Sequence, residues 1–214
     1  MTDFAAARRH MVDGQVRTAN VTDLRIIAAM QEVPRERFVP REDLAYLDFD
    51  VPVGAGSRRL LKPMVLAKLV QTADLDQTDR VLDVACATGY GAAVLARVAG
   101  QVVALEEDPA LAEMARSVLS GDPNVTVTEG SIGAGWAQDA PYDAILLEGA
   151  TEIVPEALFR QLKDGGRLVC VLGAGPGAKG MVYYRSGDDV GGRAVFDATA
   201  AVLPGFVKPA EFAF

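Results

Sequence analysis

One stretch in the middle of the chain limits the fold more than any other. Residues 81–84 predict a buried strand, a turn of small residues follows, residues 91–98 have a helical pattern, and residues 101–105 predict a second buried strand. Glu106 ends the second strand, twenty-three positions after Asp83. Because a carboxylate at this distance can bind the two hydroxyls of a ribose, the stretch is typical of one half of a nucleotide-binding α/β unit.

The sequence after residue 106 continues this alternation of strand and helix. Helices are predicted over residues 109–119 and 155–162, and strands over residues 125–127, 142–147 and 166–172. Alternation of this kind predicts parallel strands joined by right-handed crossovers. Two further strands, over residues 181–185 and 193–200, flank a turn at 186–189 and predict an antiparallel edge. The fold class is therefore α/β, with a Rossmann-like and mostly parallel sheet.

The first 63 residues predict helices and turns instead. Residues 4–18 have a helical pattern, and Thr22 is the predicted N-cap of a second helix. The predicted core face of that helix consists of Leu24, Ile26, Ile27, Met30 and Val33. Prolines punctuate residues 34–40, residues 41–63 are predicted to be mostly irregular, and Pro63 suits the first turn of a third helix.

Composition narrows the classes of function. The 214 residues are 50% hydrophobic, and their formal net charge of -8 argues against a nucleic-acid partner. No apolar run has membrane-spanning length and the N-terminus lacks a signal-peptide pattern, so we expect a cytoplasmic protein without a membrane partner. The single histidine, His10, and the cysteines Cys86 and Cys170 form no cluster, which predicts neither a metal site nor a histidine-based triad.

Two kinds of nucleotide site compete for the turn after the first strand. A dinucleotide site has the pattern Gly-x-Gly-x-x-Gly, and here its third glycine would be Tyr90. The small residues instead occupy positions 85, 87, 89 and 91, with Asp83 ahead of them. An acid before such a turn is typical of S-adenosylmethionine-dependent methyltransferases, in which the carboxylate holds the amino group of the cofactor. We favour this interpretation over a nicotinamide oxidoreductase and over a βαβ unit without a ligand.

The predicted cofactor residues are spread over four strand ends. They are Asp83, Ala85, Ala87, Gly89, Tyr90, Glu106, Glu129, Gly130 and Glu148. Glu129 follows the third predicted strand, where it lies near the adenine or is simply a solvated loop acid, and Glu148 follows the fourth. Ala85 and Ala87 stand where glycine is usual. Alanine costs little at negative φ but opposes positive φ, so we expect a reduced cofactor affinity.

Several motifs resemble those of the protein-L-isoaspartate O-methyltransferases over residues 8–185. They include Met-Val-Asp-Gly-Gln-Val-Arg at 11–17, Val-Pro-Arg-Glu-Arg-Phe-Val-Pro at 33–40, the turn at 81–91, Tyr-Asp-Ala-Ile-Leu-Leu at 142–147 and Leu-Lys-Asp-Gly-Gly-Arg-Leu-Val at 162–169. The resemblance implies a seven-stranded sheet and an N-terminal helical cap. We accordingly expect residues 1–63 to form the cap and the acceptor-side loop, and residues 64–214 to form the methyltransferase core, within one compact domain.

The resemblance also implies an activity, which is methyl transfer from S-adenosylmethionine to a carboxylate of damaged aspartyl residues in proteins. The partner is then a protein or peptide that carries isoaspartate. At the acceptor side, however, the segment at 54–63 departs from the family's Gly-His-Gly-Gln-Thr-Ile-Ser-Gln-Pro-like pattern. Ser57 is the one hydroxyl present, and Arg58 and Arg59 could each hold a carboxylate or be solvated. A protein that binds the cofactor without catalysis, or a methyltransferase with another acceptor, is the alternative.

Overall fold

The structure is a computed structural model that describes residues 3–54 and 58–209, and its first part is helical. Helix α1 (Phe4–Met11) continues through one π-helical and one 3₁₀ turn as far as Ala19. Helix α2 (Leu24–Glu32) begins after Asp23, whose carboxylate accepts a hydrogen bond from the amide of Arg25 at 2.8 Å. The predicted N-cap, Thr22, is therefore wrong by one residue, because the neighbouring carboxylate accepts the free amide.

The predicted core face of α2 is confirmed at four of its five positions. Ile26, Ile27, Met30 and Val33 are buried, whereas Leu24 is 71% exposed. Leu24 lies two positions before Ile26, and at 3.6 residues per turn this separation places the two side chains on nearly opposite faces.

A short antiparallel pair lies in the segment predicted to be irregular. Strands β1 (Val51–Pro52) and β2 (Arg59–Leu60) pair over two residues on each side. Helix α3 (Pro63–Ala73) follows, with Pro63 in its first turn as predicted. Patterns of two residues are too short to show strand periodicity, so sequence reasoning did not detect this pair.

Seven strands form the main sheet. They are β3 (Arg80–Val84), β4 (Gln101–Glu106), β5 (Val125–Glu129), β6 (Tyr142–Thr151), β7 (Leu162–Leu172), β8 (Lys179–Ser186) and β9 (Asp189–Asp197). Their order is β5-β4-β3-β6-β7-β8-β9, in which the first five are parallel and β8 and β9 are antiparallel. The predicted Rossmann-like sheet with an antiparallel edge is confirmed.

The helices between the strands are α4 (Tyr90–Leu95), α5 (Pro109–Val118) and α6 (Glu156–Phe159). Helix α6 is shorter than the predicted 155–162, because Leu162 already pairs with Tyr142 in the sheet. Strand β6 is longer than the predicted 142–147, since its pairing with β7 resumes at Ala150 after an irregularity in register. The order of elements was therefore predictable, and their ends were less so.

The apolar side chains of the sheet divide between two faces. On β3, Val81 belongs to the larger core cluster, and Leu82 and Val84 belong to the smaller cluster on the other face. The larger cluster also contains Met11 and Met30 from the N-terminal helices. The N-terminal segment is thus part of the core that covers one face of the sheet. Within the described residues, none of the helices combines the length and the apolar character needed to cross a membrane.

Arg35 connects this N-terminal segment to the turn after β3. It is fully buried, and it donates hydrogen bonds from Nε to the carbonyl of Ala45 at 2.8 Å and from Nη2 to the carbonyl of Leu61 at 2.9 Å. Its guanidinium carbon lies 4.5 Å from the ring centroid of Tyr90, which is a cation–π distance. One side chain therefore positions two loops and the first residue of α4.

We expect Arg35→Ala to lower the free energy of unfolding by about 3 kcal/mol, because it leaves a cavity and two buried carbonyls without donors. Urea denaturation followed by circular dichroism measures the change. The matched control is Arg37→Ala, since Arg37 is exposed in the same connector and its loss should change the value by less than about 0.5 kcal/mol. Equal effects of the two substitutions would contradict the assigned role.

Candidate active site

Three carboxylates meet at the carboxyl edge of the sheet. Asp83 lies on β3, Glu106 ends the neighbouring β4, and Glu148 lies on β6 at the other side of β3. Their exposed fractions are 0%, 0% and 2%. Ligands of open α/β sheets bind at this edge, so the structure brings these predicted residues together where a ligand would be expected. Glu148 lies within its strand, and not after it as predicted, because β6 runs on to Thr151.

Asp83 and Glu148 are held as a pair of buried acids. Three of their oxygens have no hydrogen-bond donor among the described residues. They are both carboxylate oxygens of Asp83 and Oε1 of Glu148. Burial, and then the adjacent Glu148, raise the pKa of Asp83 well above its usual range. Burial also raises the pKa of Glu148 to about 7. Because burial raises the pKa of both acids, the pair retains a proton at a pH where free carboxyl groups are ionised.

The turn after β3 has an unusual backbone for its sequence. Ala85 and Ala87 have positive φ angles of 65° and 53°, and Gly89 has a φ of 92°. The favourable case for alanine, a negative φ, is therefore absent at both positions. A non-glycine residue in this region costs on the order of 1 kcal/mol or more, and the surrounding structure must maintain it.

Hydrogen bonds to the turn supply this support. The amides of Ala85 and Cys86 both donate to the carbonyl of Leu105, at 2.9 and 3.1 Å. The Thr88 hydroxyl donates to the carbonyl of Phe38 at 2.6 Å, which attaches the turn to the N-terminal connector. Sequence reasoning did not select Thr88, and its only signal was a hydroxyl residue between the small residues of the turn.

Both carboxylate oxygens of Glu106 accept hydrogen bonds from other groups of the protein. Its Oε2 accepts hydrogen bonds from the amide of Ala87 at 2.7 Å and from Nη2 of Arg58. Its Oε1 accepts from the amides of Glu107 and Asp108 at 3.0 and 3.1 Å. The Arg58 and Glu106 side chains, only 6% and 0% exposed, form a buried ion pair.

The three acceptor-side candidates have different outcomes. Arg58 contacts the cofactor-side carboxylate and is buried, so the picture of a solvated loop arginine is wrong for it. Arg59 is half-buried in β2, opposite Pro52. Ser57 lies outside the described residues. The structure therefore places one of these candidates among the carboxylates and leaves the positions of the methyl-acceptor contacts as a prediction.

The remaining cofactor-side candidates have different surroundings. Tyr90 is buried below Arg35, with Phe38 edge-on at a centroid distance of 5.6 Å. The Glu129 side chain is 46% exposed and lies 3.7 Å from Nη2 of Arg116. Gly130 is close to the ring of Trp136, since a Cβ built on Gly130 would be 3.2 Å from that ring.

Two residues of this region were not selected from the sequence. Arg35 has an orphaned Nη1 and contacts the turn through Tyr90, and Trp136 flanks Gly130. An arginine directly after Val33 and Pro34 in the connector, and the single tryptophan of the chain, were the available signals. Cys86 and Cys170 are free and buried as expected, and burial raises the pKa of both thiols. In the described part of the chain, no group of acidic, histidine or cysteine side chains could hold a metal ion.

Comparison with known proteins gives a consistent result. Residues 6–196 match the family model described as Protein-L-isoaspartate(D-aspartate) O-methyltransferase (PCMT). The protein-L-isoaspartate O-methyltransferase 1 of Rhodopseudomonas palustris (strain HaA2) is 40% identical over 195 residues, which cover 88% of this chain and 79% of the relative. The family-model match includes every described residue of the candidate site.

Solved structures share the fold. A protein-L-isoaspartate O-methyltransferase structure superposes with a TM-score of 0.80 at 26% identity, over 92% of this chain and 66% of that protein, which is just under two thirds of its length. A Plasmodium falciparum protein assigned to the same family, solved in complex with S-adenosyl-L-homocysteine, gives a TM-score of 0.75 at 16% identity over 95% of this chain and 99% of that chain. The second likeness concerns the fold alone.

We expect Glu148→Gln to flatten the dependence of stability on pH. A carboxyl whose pKa is raised by folding binds an extra proton in the folded state, so its contribution to stability is present below about pH 4.5 and is lost as the pH rises to about 7. The free energy of unfolding should therefore fall more steeply in the wild type than in Glu148→Gln, by on the order of 2 kcal/mol between pH 5 and 8.

Urea denaturation at pH 5 and pH 8 measures this difference. The control is Glu113→Gln, because the Glu113 side chain on α5 is 75% exposed and its removal should leave the wild-type profile unchanged. Parallel profiles of Glu148→Gln and the wild type would contradict the assignment of this pH dependence to Glu148.

Proposed function

The chain belongs to the protein-L-isoaspartate(D-aspartate) O-methyltransferase family, and we propose that it transfers a methyl group from S-adenosylmethionine to the carboxylate of an isoaspartyl residue in proteins. The observation that carries the proposal is the state of Asp83. This buried carboxylate has no donor on either oxygen among the described residues, at the edge of the sheet where ligands bind. A buried acid without donors suits a positively charged ligand.

The residues present fit the cofactor at its methionine end. Asp83 and Glu148 supply orphaned carboxylate oxygens for the amino group, and the turn from Ala85 to Gly89 brings backbone close to the same position. The cofactor, when bound, supplies a methyl group bonded to a positively charged sulfonium sulfur. When an oxygen attacks that methyl group, the sulfur leaves as a neutral thioether. The cationic ligand would favour the ionised acids, so its binding should release a proton from the Asp83 and Glu148 pair.

The remaining candidates suit the nucleoside end. We assign the ribose to Glu106, as the strand-end carboxylate of the second strand. Gly130 would leave room for the adenine beside Trp136, and Glu129 lies at the end of the same strand.

The acceptor requires orientation more than a base. A carboxylate is already ionised at neutral pH, so its oxygen needs only alignment with the methyl group. We place the acceptor beside residues 54–62, which adjoin the carboxylate edge through Arg58. Ser57 and Arg59 stay candidates for contact with the substrate.

The alternative, a protein that binds the cofactor without transferring the methyl group, has one structural observation in its favour. Ala85 and Ala87 have left-handed backbone, and their methyl groups occupy a turn where glycine would leave space.

We infer that the protein acts in the cytoplasm, where the buried free thiols Cys86 and Cys170 would stay reduced.

A transfer assay tests the proposal. We expect labelled methyl groups from S-adenosylmethionine to appear in a peptide that contains isoaspartate, and not in the same peptide with aspartate. Asp83→Asn should lower kcat/KM by about tenfold to a hundredfold, because it removes the charge that faces the cofactor. Glu113→Gln, an exposed change on α5, is the control and should leave kcat/KM unchanged.

The outcomes separate the two candidate functions. Binding of S-adenosylhomocysteine by calorimetry, without transfer to the isoaspartyl peptide, would support the alternative. Absence of binding at millimolar ligand would exclude both functions.

A further inference from the structure

We propose that Arg58 occupies the place of the cofactor's ribose on Glu106, so that the cofactor binds in exchange for the Arg58 side chain. The inference rests on the function proposed above and gives Arg58 a different role from the one expected from the sequence. Arg58 then sets the affinity for the cofactor, in place of holding the methyl acceptor.

The first argument is the number of donors around Glu106. A carboxylate has two oxygens with about four acceptor positions. Four donors use them, which are three backbone amides and Nη2 of Arg58. A ribose hydroxyl that binds Glu106 needs one of these positions, and none is free while Arg58 is bound.

The second argument concerns which donor can leave. The amides of Ala87, Glu107 and Asp108 belong to the backbone that follows β3 and β4, and the fold fixes them there. Arg58 is the one donor that is a side chain, and rotation of its χ angles can remove it without moving the sheet. Exchange at Arg58 therefore requires the smallest change in the structure.

The third argument is that Arg58 is held incompletely. Its Nε and Nη1 are buried and have no hydrogen-bond partner among the described residues. A buried guanidinium with two unsatisfied donors loses part of the free energy that its ion pair contributes. Release of this side chain to water would satisfy those donors, which lowers the free energy needed for the exchange.

The fourth argument is electrostatic. The positive charge of Arg58 opposes the rise in the pKa of both Asp83 and Glu148, although burial prevails for both acids. Arg58 thus compensates part of the charge of these carboxylates, together with Arg35 in the case of Glu148. A positively charged cofactor would supply the same compensation and make Arg58 unnecessary.

The backbone near Arg58 permits the movement. The Arg58 carbonyl accepts a hydrogen bond from the amide of Val53 at 3.0 Å, beside the two-residue pair of β1 and β2. This bond involves the backbone only, so the side chain can turn away while the β1–β2 pair stays formed.

The test is the affinity for S-adenosylhomocysteine, measured by calorimetry and by the fluorescence of Trp136. Removal of the competing side chain in Arg58→Ala should tighten binding by about tenfold to a hundredfold, the range expected for one charge-assisted hydrogen bond. Arg58→Gln is a second variant that keeps a polar side chain and should also tighten binding. Arg37→Ala is the control, because Arg37 is an exposed arginine of the N-terminal segment and has no assigned role in the site.

Two further measurements locate the effect on Glu106. In a Glu106→Gln background, Arg58→Ala should no longer tighten binding, since the group that both ligands share is absent. Among simpler ligands, Arg58→Ala should strengthen the binding of adenosine and not that of 2′,3′-dideoxyadenosine, which lacks the two hydroxyls.

Each outcome decides the proposal. Unchanged or weaker binding of S-adenosylhomocysteine by Arg58→Ala and Arg58→Gln, in proteins with wild-type circular dichroism, would overturn the exchange and leave the proposed function standing. Equal tightening of adenosine and its dideoxy analogue would also overturn it, since the effect would then be one of charge alone. If none of the proteins binds the ligand at millimolar concentration, the proposed function fails and the exchange fails with it.

Discussion

The candidate site depends on the compensation of three buried carboxylates. Asp83, Glu106 and Glu148 lie at one sheet edge with almost no exposure, where isolated charges are strongly destabilising. Two arrangements limit this destabilisation. Backbone amides and Arg58 neutralise Glu106, whereas Asp83 and Glu148 retain a proton at the pH where free acids would lose it. These arrangements require the turn after β3 and the segment that carries Arg58 to be in place together.

That requirement explains why the N-terminal segment packs so closely on the site. Arg35 connects loops at Ala45 and Leu61 to Tyr90, and the Thr88 hydroxyl binds the carbonyl of Phe38. Both contacts stabilise the turn whose alanines have positive φ angles. A turn with glycine at these positions would need less support from outside.

Much of the fold was predictable from the sequence, for a physical reason. The unit from β3 to β4 combines buried apolar strands with a small-residue turn, and both patterns are local in sequence. The position of Glu106 followed from the end of its strand. Glu148 was predicted at the correct edge, although the strand that contains it extends past the apolar run.

The placement of Arg58 could not be predicted in the same way. Its partner, Glu106, is 48 residues away, and its segment has no periodicity that indicates where a side chain points. The backbone angles of Ala85 and Ala87 could not be predicted for a similar reason, since the hydrogen bonds that support the turn involve the carbonyls of Leu105 and Phe38. Long-range contacts determine both features, and a local pattern contains no information about them.

The two buried cysteines can report which part of the protein opens. Cys86 lies in the turn at the site, and Cys170 lies on the interior strand β7, at zero exposure each. A thiol reagent can reach either group only when the surrounding structure opens. Opening of the turn alone would expose Cys86, whereas exposure of Cys170 requires the sheet itself to separate. The ratio of the two labelling rates therefore distinguishes breathing of the active site from unfolding of the whole chain.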